Sequence, residues 1–377
     1  MTQPRSEPFG KPNGGFAGTL IEFSDPELDR RYSRGVYINL RGYPDFTPYA
    51  HAVVEFAEPP AGLGIDELRV TDVLAANEIM RRSGDSLWTA EDVPGGTPQG
   101  WLWHHVPVSR CLMLVPADLK NAFRHHAGLT TVNADRNRRG LWHQRQPPGV
   151  QFERSGIAPE DLVQQVEQDF FGFALPPAYR SFLAATNGGR PKFPAVSTAL
   201  GFVADQRLFG LQREDANEDL VFGNERLGDR LTADFLAIGN VQGGLLVLKV
   251  AGQDTGSVWF WDNDDPRDHD SQNAQTICRD LLYRCGDDFN DFARNLTAVP
   301  EEIADIARGA VDNGFVRVVT DTSRHGSALY AAAEPTHAEP QQQSHQDMHD
   351  QGHGGSFPPP EGMPQAAAHL GQSEYHG

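Results

Sequence analysis

Cysteine is nearly absent from this chain: Cys111, Cys278 and Cys285 are the three thiols in 377 residues. Three thiols cannot build a disulfide framework, and these are not spaced as a zinc ribbon. Cys278 and Cys285 lie seven apart on one expected helix, Ile277 to Leu296, and read as buried thiols. Long apolar runs are missing as well. No stretch of about 18 apolar residues occurs, which argues against a membrane-spanning helix. Met1 to Asn13 is polar, with Pro and Gly, and lacks the apolar centre of a signal peptide. The expectation is a cytoplasmic protein without membrane contact, with export by a specialised secretion system left open.

Basic residues are also scarce, 32 against 51 acidic ones, for a net charge of −19. The imbalance is uneven. Residues 1–150 hold 17 acids and 16 bases, residues 151–297 hold 23 and 13, and residues 298–377 hold 11 and 3. An acidic middle is unsuited to a polyanion and suited to a cationic protein partner. The nearly neutral first part hides a basic cluster of Arg124, Arg136, Arg138, Arg139 and Arg145 with His125, His126 and His143. It suits either phosphate contact or a plain solvated face.

What the chain has in quantity is loop-forming residue, 38 Gly and 27 Pro, beside 39% hydrophobic residues that can fill cores. Residues 1–20 read as a flexible leader. Leu20 to Phe23, Gly35 to Leu40 and His51 to Phe56 read as strands, Ile65 to Arg82 as a helix, and Trp101 to His105 as a strand. Residues 132–150 are Arg- and Pro-rich and read as a linker. A helix opening at Ala158-Pro159-Glu160 must stop before Pro176, and a second starts on the prolines there. Tyr179, Phe182 and Leu183 share its buried face, and Asn187-Gly188-Gly189 ends it with residues that tolerate positive φ. Phe202-Val203, Leu208 to Leu211, Leu245 to Val250 and Val258 to Trp261 read as strands. Asp262, Asp264, Asp265, Asp268 and Asp270 form an acidic loop whose spacing is not that of an EF-hand. It is expected to be solvated or to face a partner, with Asp264, Asp265 and Asp268 as partner-binding candidates. Glu301 to Val311 reads as a helix and Gly314 to Val319 as a strand (residues 298–321), packing back on the second domain. Residues 322–377 are rich in Gln, His, Pro and Gly and are expected to be disordered. Seven of the 14 histidines fall there, irregularly spaced, as in adventitious metal binding.

Glu167, Leu175-Pro176, Tyr179, Phe182-Leu183 and Asn187-Gly188-Gly189 resemble the signature of the SUKH superfamily. So do Gly256 and Trp259-Phe260-Trp261-Asp262 further on. That superfamily includes the Smi/Knr yeast cell-wall regulators and many bacterial immunity proteins. The resemblance covers residues 151–297 and implies a domain that binds nuclease toxin proteins and blocks them.

A second set of blocks resembles the Trp-His-His class of the HNH/endonuclease VII superfamily over roughly residues 35–130, in an expected domain of residues 21–131. These are Pro44-Asp45-Phe46-Thr47-Pro48-Tyr49, Asp72 with Ala76-Asn77, Gly100-Trp101-Leu102-Trp103-His104-His105, Met113-Leu114-Val115-Pro116 and a helix from Asp118 to His125. Such a site hydrolyses a phosphodiester with one divalent metal (Mg, Ni or Zn) and one histidine base. The resemblance implies His104 and His125 as metal ligands and His105, with Trp103, as catalytic residues. Arg124, Arg136 and Arg138 are phosphate-contact candidates. Adjacent His104 and His105 point to opposite faces of a strand, so both can serve one site only if the strand bends there. The chain departs from the pattern at Lys120, where an imidazole ligand is expected and an ammonium cannot ligate.

Together these imply an α+β chain: an HNH (ββα-metal-like) domain, a SUKH-type domain and a disordered tail. Three functions follow. The chain is a toxin-system immunity protein with a degenerate nuclease-like domain, an active endonuclease toxin regulated by its SUKH-like domain and contacting nucleic acid, or a scaffold like the yeast proteins.

Overall fold

The structure, a computed structural model, describes residues 13–57, 63–88, 95–107, 109–123, 149–269 and 272–320. In chain order the first part comprises β1 (Leu20–Ile21), α1 (Pro26–Arg31), β2 (Val36–Ile38), β3 (Pro44–Asp45), β4 (Ala52–Phe56), α2 (Ile65–Arg82), β5 (Trp101–His105), β6 (Cys111–Pro116) and α3 (Ala117–Asn121). Then follow β7 (Phe152–Glu153), α4 (Glu160–Val166) running into a π-helical turn at Glu167–Phe171, α5 (Pro177–Thr186), β8 (Arg190–Pro191), β9 (Ala195–Ser197), β10 (Phe202–Ala204) and α6 (Leu220–Arg226). The chain continues through β11 (Phe235–Val241), β12 (Gly244–Lys249), β13 (Val258–Asp262), α7 (Ala274–Asp280), β14 (Leu282–Gly286), α8 (Phe289–Asn295), β15 (Thr297–Ala298), α9 (Glu301–Asp312) and β16 (Val316–Val318).

The first part is built on an antiparallel sheet of order β16-β4-β6-β5. Both faces are covered, so its strands are nearly continuous apolar runs. Leu112, Leu114, Val54 and Trp103 face α2, while Met113, Val115 and Val53 face a second core with Val36, Ile38, Phe46 and Leu119. α2 opens with a capping arrangement in which Glu67 accepts from the Gly64 amide at 2.9 Å. Acids in its first turn and Arg81 and Arg82 in its last oppose the helix dipole.

The outer edge of β4 is closed by the far end of the chain. Val316 pairs with Phe56 and Val318 with Val54, and the Ala57 amide donates to Phe315 O at 2.8 Å. α9 buries Ile303, Ala307 and Val311 in the same core as α2. The helix and strand expected to pack on the second domain therefore complete the first. The reason is the unpaired row of amides and carbonyls that β4 would otherwise leave.

In the second part β11 to β14 form an antiparallel meander, flanked by β10-β9-β15 and β7-β8. α5 starts on Pro176-Pro177, buries Tyr179 and Leu183, and ends at Asn187 (φ 46°) and Gly188 (φ 77°). A Cβ on Gly188 would lie 2.3 Å from Leu208 O. Asn187 does more than turn the chain: its side chain accepts from Leu211 N at 2.7 Å and donates to Leu211 O at 3.1 Å. Leu208 to Leu211, expected as a strand, makes only isolated bridges among the described residues. The expected closing helix from Ile277 to Leu296 is broken into α7, β14 and α8. Asp288 caps α8 through the Asp291 amide at 2.7 Å, and the intervening residues pair with β13 as the fourth strand. Cys278 and Cys285 therefore sit on a helix and a strand, not one helix. Both are partly buried, and burial raises both thiols. The described residues form one compact unit. The expected leader to residue 12, the linker from 132 to 148 and the tail beyond 321 lie outside the described residues.

Two outcomes test this architecture. Gly188→Val should destabilise the chain by ~3 kcal/mol or more, through backbone strain and overlap with Leu208; melting like the native protein would remove the left-handed turn. A chain ended after Ala298 should become open to limited proteolysis between residues 52 and 116, whereas an unchanged cleavage pattern would show that β16 is dispensable.

Candidate functional site

The histidine pair sits where the strand reading places it, and the bend that would join the two rings is absent. β5 stays in regular register with β6 through His104↔Met113 and His105↔Leu112, and Val106 N donates to Cys111 O at 2.9 Å. The two imidazoles therefore leave on opposite faces. His104 is buried with its ring edge-to-face on Phe46, centroids 5.1 Å apart. His105 turns toward α2, its Nε2 3.4 Å from Asp72 Oδ2. Asp72 is also gripped by the Arg110 guanidinium at 2.6 and 2.9 Å. Trp103 lies on the His105 face and donates its indole N–H to Asn77 Oδ1 at 2.9 Å. Asn77 in turn meets Thr97 Oγ1 at 3.1 Å. The Trp and Asn blocks thus meet as a buried structural pair.

α3 is positioned by Asp118, which accepts from Tyr32 OH at 2.6 Å and pairs with Arg31 at 2.8 Å. Its C-terminal carbonyls, those of Asn121 and Ala122, are capped by the Arg230 guanidinium at 2.8 Å each. Lys120 is buried in this helix. Burial lowers its ammonium to about 8, opposed by nearby Asp264 and reinforced by Arg69. His125, Arg124, Arg136 and Arg138 lie outside the described residues, so the phosphate-contact cluster and the second helix ligand have no geometry to report. Among the described residues no group of three or more His, Cys, Asp or Glu could hold a metal ion. With His104 and His105 on opposite faces and an ammonium at position 120, the described side chains do not fit a shared Mg, Ni or Zn site.

The acidic loop departs most from expectation. Asp264, Asp265 and Asp268 are 1%, 1% and 4% exposed, so none of them presents a solvated surface. Asp268 accepts the Trp261 indole N–H at 3.0 Å. Asp265 is held by Arg267, at 2.6 Å to Nη2, and by Tyr283. Asp264 pairs with Arg69 Nε at 2.9 Å, and Asp262 with Arg69 Nη2 at 3.2 Å. Arg69 comes from α2 of the first part, and its Nη1 donates to Gly201 O at 3.3 Å. The turn is tight because Asp264 N donates to Asp262 Oδ1 at 2.8 Å. Asp262 and Asp264 are thus turned toward the buried cation of α2, while Asp265 and Asp268 are satisfied within their own domain.

A second seam covers the outer edge of β5. Trp103 N donates to Gln242 Oε1 at 2.9 Å, Gln242 Nε2 to Asp205 Oδ1 at 3.0 Å, and Thr97 N to Asp205 Oδ2 at 2.8 Å. Gln206 takes the Gly100 amide at 3.0 Å and donates to Thr97 O at 3.1 Å. Reading the chain in order missed Arg69, Asp205, Gln206 and Gln242. Arg69 carried a signal, since it stands directly between Leu68 and Val70, which are both buried.

The signature residues of the second part are fold residues. Glu167 accepts from Leu175 N at 2.8 Å and Arg180 Nε at 2.9 Å, clamping the π turn to α5. Leu175 is buried beside Pro176, which stands at the N-cap of α5. Tyr179 packs edge-on to Phe289 at 5.4 Å. Gly256 takes φ 101°, and Gly189 has no room for a Cβ beside Glu153 O.

Comparison with known families agrees with this partition. Residues 157–295 match the model of the SMI1/KNR4 family (SUKH-1). Residues 95–135 match that of a nuclease of the HNH/ENDO VII superfamily with conserved WHH. No curated protein matches the chain. The chain therefore carries a WHH nuclease-type domain followed by a SUKH domain, both α+β. No helix among the described residues is long and apolar enough to cross a membrane.

The buried charges give a stability test. Asp264→Asn should cost about 3–5 kcal/mol, because Arg69 and Lys120 lose a buried counter-charge. Lys120→Met should cost about 1 kcal/mol at most near neutral pH. The folded ammonium titrates near 8 and its ordinary value is 10.5, so the unfolded chain holds the extra proton between those values. The burden of burying this cation is full below about pH 8 and is relieved as pH rises toward 10.5. The stability gap between Lys120→Met and native protein should therefore shift in favour of the native chain across that window. A gap independent of pH would show that Lys120 titrates in the fold as it does in the unfolded chain, as a solvated lysine would.

Proposed function

We propose that this chain is an immunity-type protein of a bacterial toxin system. Its SUKH domain binds and neutralises nuclease toxins, and its own WHH domain is a silenced, structural partner. The observation that carries this reading is the Asp262–Asp264 turn of the SUKH domain seated on Arg69 and facing Lys120 of the WHH domain. One-metal phosphodiester hydrolysis needs the base and the metal ligands to converge on one scissile phosphate. Here the paired imidazoles diverge and a buried cation takes a ligand position.

A second reading, an active metal-dependent endonuclease held by its SUKH domain, has one observation in its favour. His105 lies 3.4 Å from Asp72, and a carboxylate beside an imidazole is how a general base is oriented. In that case nucleic acid would be a partner, and His125 would have to complete the site.

The two separate in one experiment. The purified full chain is incubated with plasmid DNA and with structured RNA in Mg²⁺, Mn²⁺, Ni²⁺ or Zn²⁺, alone and with an active WHH-type toxin nuclease. Neither nucleic acid should be cut by the chain alone, and cleavage by the added toxin should fall as chain is titrated in. Metal-dependent cleavage abolished by His105→Ala would replace this reading with the second.

A further inference from the structure

If the SUKH domain binds a basic nuclease, its acidic turn cannot be the receiving surface, because Arg69 and Lys120 already occupy it. A different feature of the same domain has the right chemistry. Between α4 with its π-helical turn and the start of α6 lies a groove of about 430 Å³. Leu162, Val166, Phe170, Leu211, Val221 and Phe222 form its apolar lining, with Asp219 and Glu225 beside them and no Lys or Arg.

Two costly backbone features converge there. The Glu167–Phe171 turn is π-helical, an arrangement that inserts an extra residue into a helix and is rare outside functional positions. It leaves Phe170 59% exposed, while Phe171 stacks on Phe173 at 5.6 Å. Gln212, also at the groove, takes φ 51°, a left-handed conformation that a side chain disfavours.

The lining and exposed rim of the groove carry acidic side chains and no Lys or Arg. Asp161 and Asp169 are exposed on α4 and the π turn, and no basic residue occurs from Ser155 to Tyr179. The cations that flank it are each paired: Arg180 with Glu160 and Glu167, Arg213 with Glu218, and Arg226, which lies over the Phe222 ring at 4.2 Å, with Asp25 at 3.2 Å. An apolar floor with an acidic rim fits an aromatic or aliphatic side chain carried between lysines or arginines. That is the surface character of a protein built to hold phosphates.

We propose that this groove is where the SUKH domain grips a basic nuclease partner. An apolar side chain of the partner enters beside Leu162, Phe170 and Phe222, and its cations face Glu225, Asp161 and Asp169. The inference rests on the immunity reading above. It assigns binding to a surface that shares no residue with the acidic turn or with the WHH domain's histidines.

The test uses the full chain and, as probe, a WHH-type toxin nuclease domain with its catalytic histidine replaced by alanine, so that binding alone is measured. Phe170→Ser should weaken binding at least tenfold, the loss expected of an anchor in a pocket. Glu225→Lys should weaken it severalfold and flatten its dependence on salt, since screening acts on exposed charges. Both positions are exposed, so melting temperatures should stay at the native value. Phe315→Ser, an equally exposed aromatic on the WHH side, should leave binding unchanged. Native-like binding by both Phe170→Ser and Glu225→Lys would overturn the groove while leaving the immunity reading intact. Failure of the native chain to bind the probe would overturn that reading and this inference together.

Discussion

Arg69 is the residue on which the arrangement of this molecule depends. A guanidinium only 2% exposed, in the second turn of α2, would be prohibitive without compensation. The compensation comes from the other domain: two carboxylates, Asp262 and Asp264, and the carbonyls of Leu200 and Gly201. Gly243, at φ 106°, lets the chain pass close to the arginine stem, where a Cβ would lie 3.0 Å from Arg69 Cδ. Each of these groups is costly alone and satisfied together, so the two domains hold one another in a single geometry. The acidic turn that could have been a docking surface is consumed in the process.

The chain path reinforces this. The SUKH domain lies between two pieces of the WHH domain's own sheet, since β16 pairs with β4 after the chain has left α8 and passed through α9. Cutting the segment between the matched regions would therefore not yield two complete domains. A toxin module and its antidote joined by a linker could separate and act independently. A nuclease-like sheet that needs residues beyond the SUKH domain to close its edge cannot separate from it in that way.

What could be read from the chain was local. Proline at the start of α5, Asn187-Gly188-Gly189 at its end and the tryptophan strand are written in neighbouring residues and stand where their patterns implied; the helix expected from Asp118 to His125 is described only over Ala117–Asn121. The divergence of His104 and His105 also follows from strand alternation. What was illegible was pairing at a distance. Arg69 and Asp262 are 193 positions apart, and nothing near either one specifies the other. A run of aspartates reads as solvated because carboxylates seldom bury, and only a buried arginine and the Trp261 indole reverse that. The broken closing helix was missed for another reason. Its apolar residues suit a helix or a strand, and the cap at Asp288 and the open edge of β13 decide between them.

The central claim, that SUKH and WHH domains form one cooperative unit joined at Arg69, is tested most directly by hydrogen exchange in rising urea. The amides of β5 and β6 are followed beside those of β12 and β13. The account predicts that both sets lose protection at the same urea concentration in the native chain. It also predicts that they separate in Arg69→Met, with the WHH sheet opening first. Separate transitions already in the native chain would contradict it.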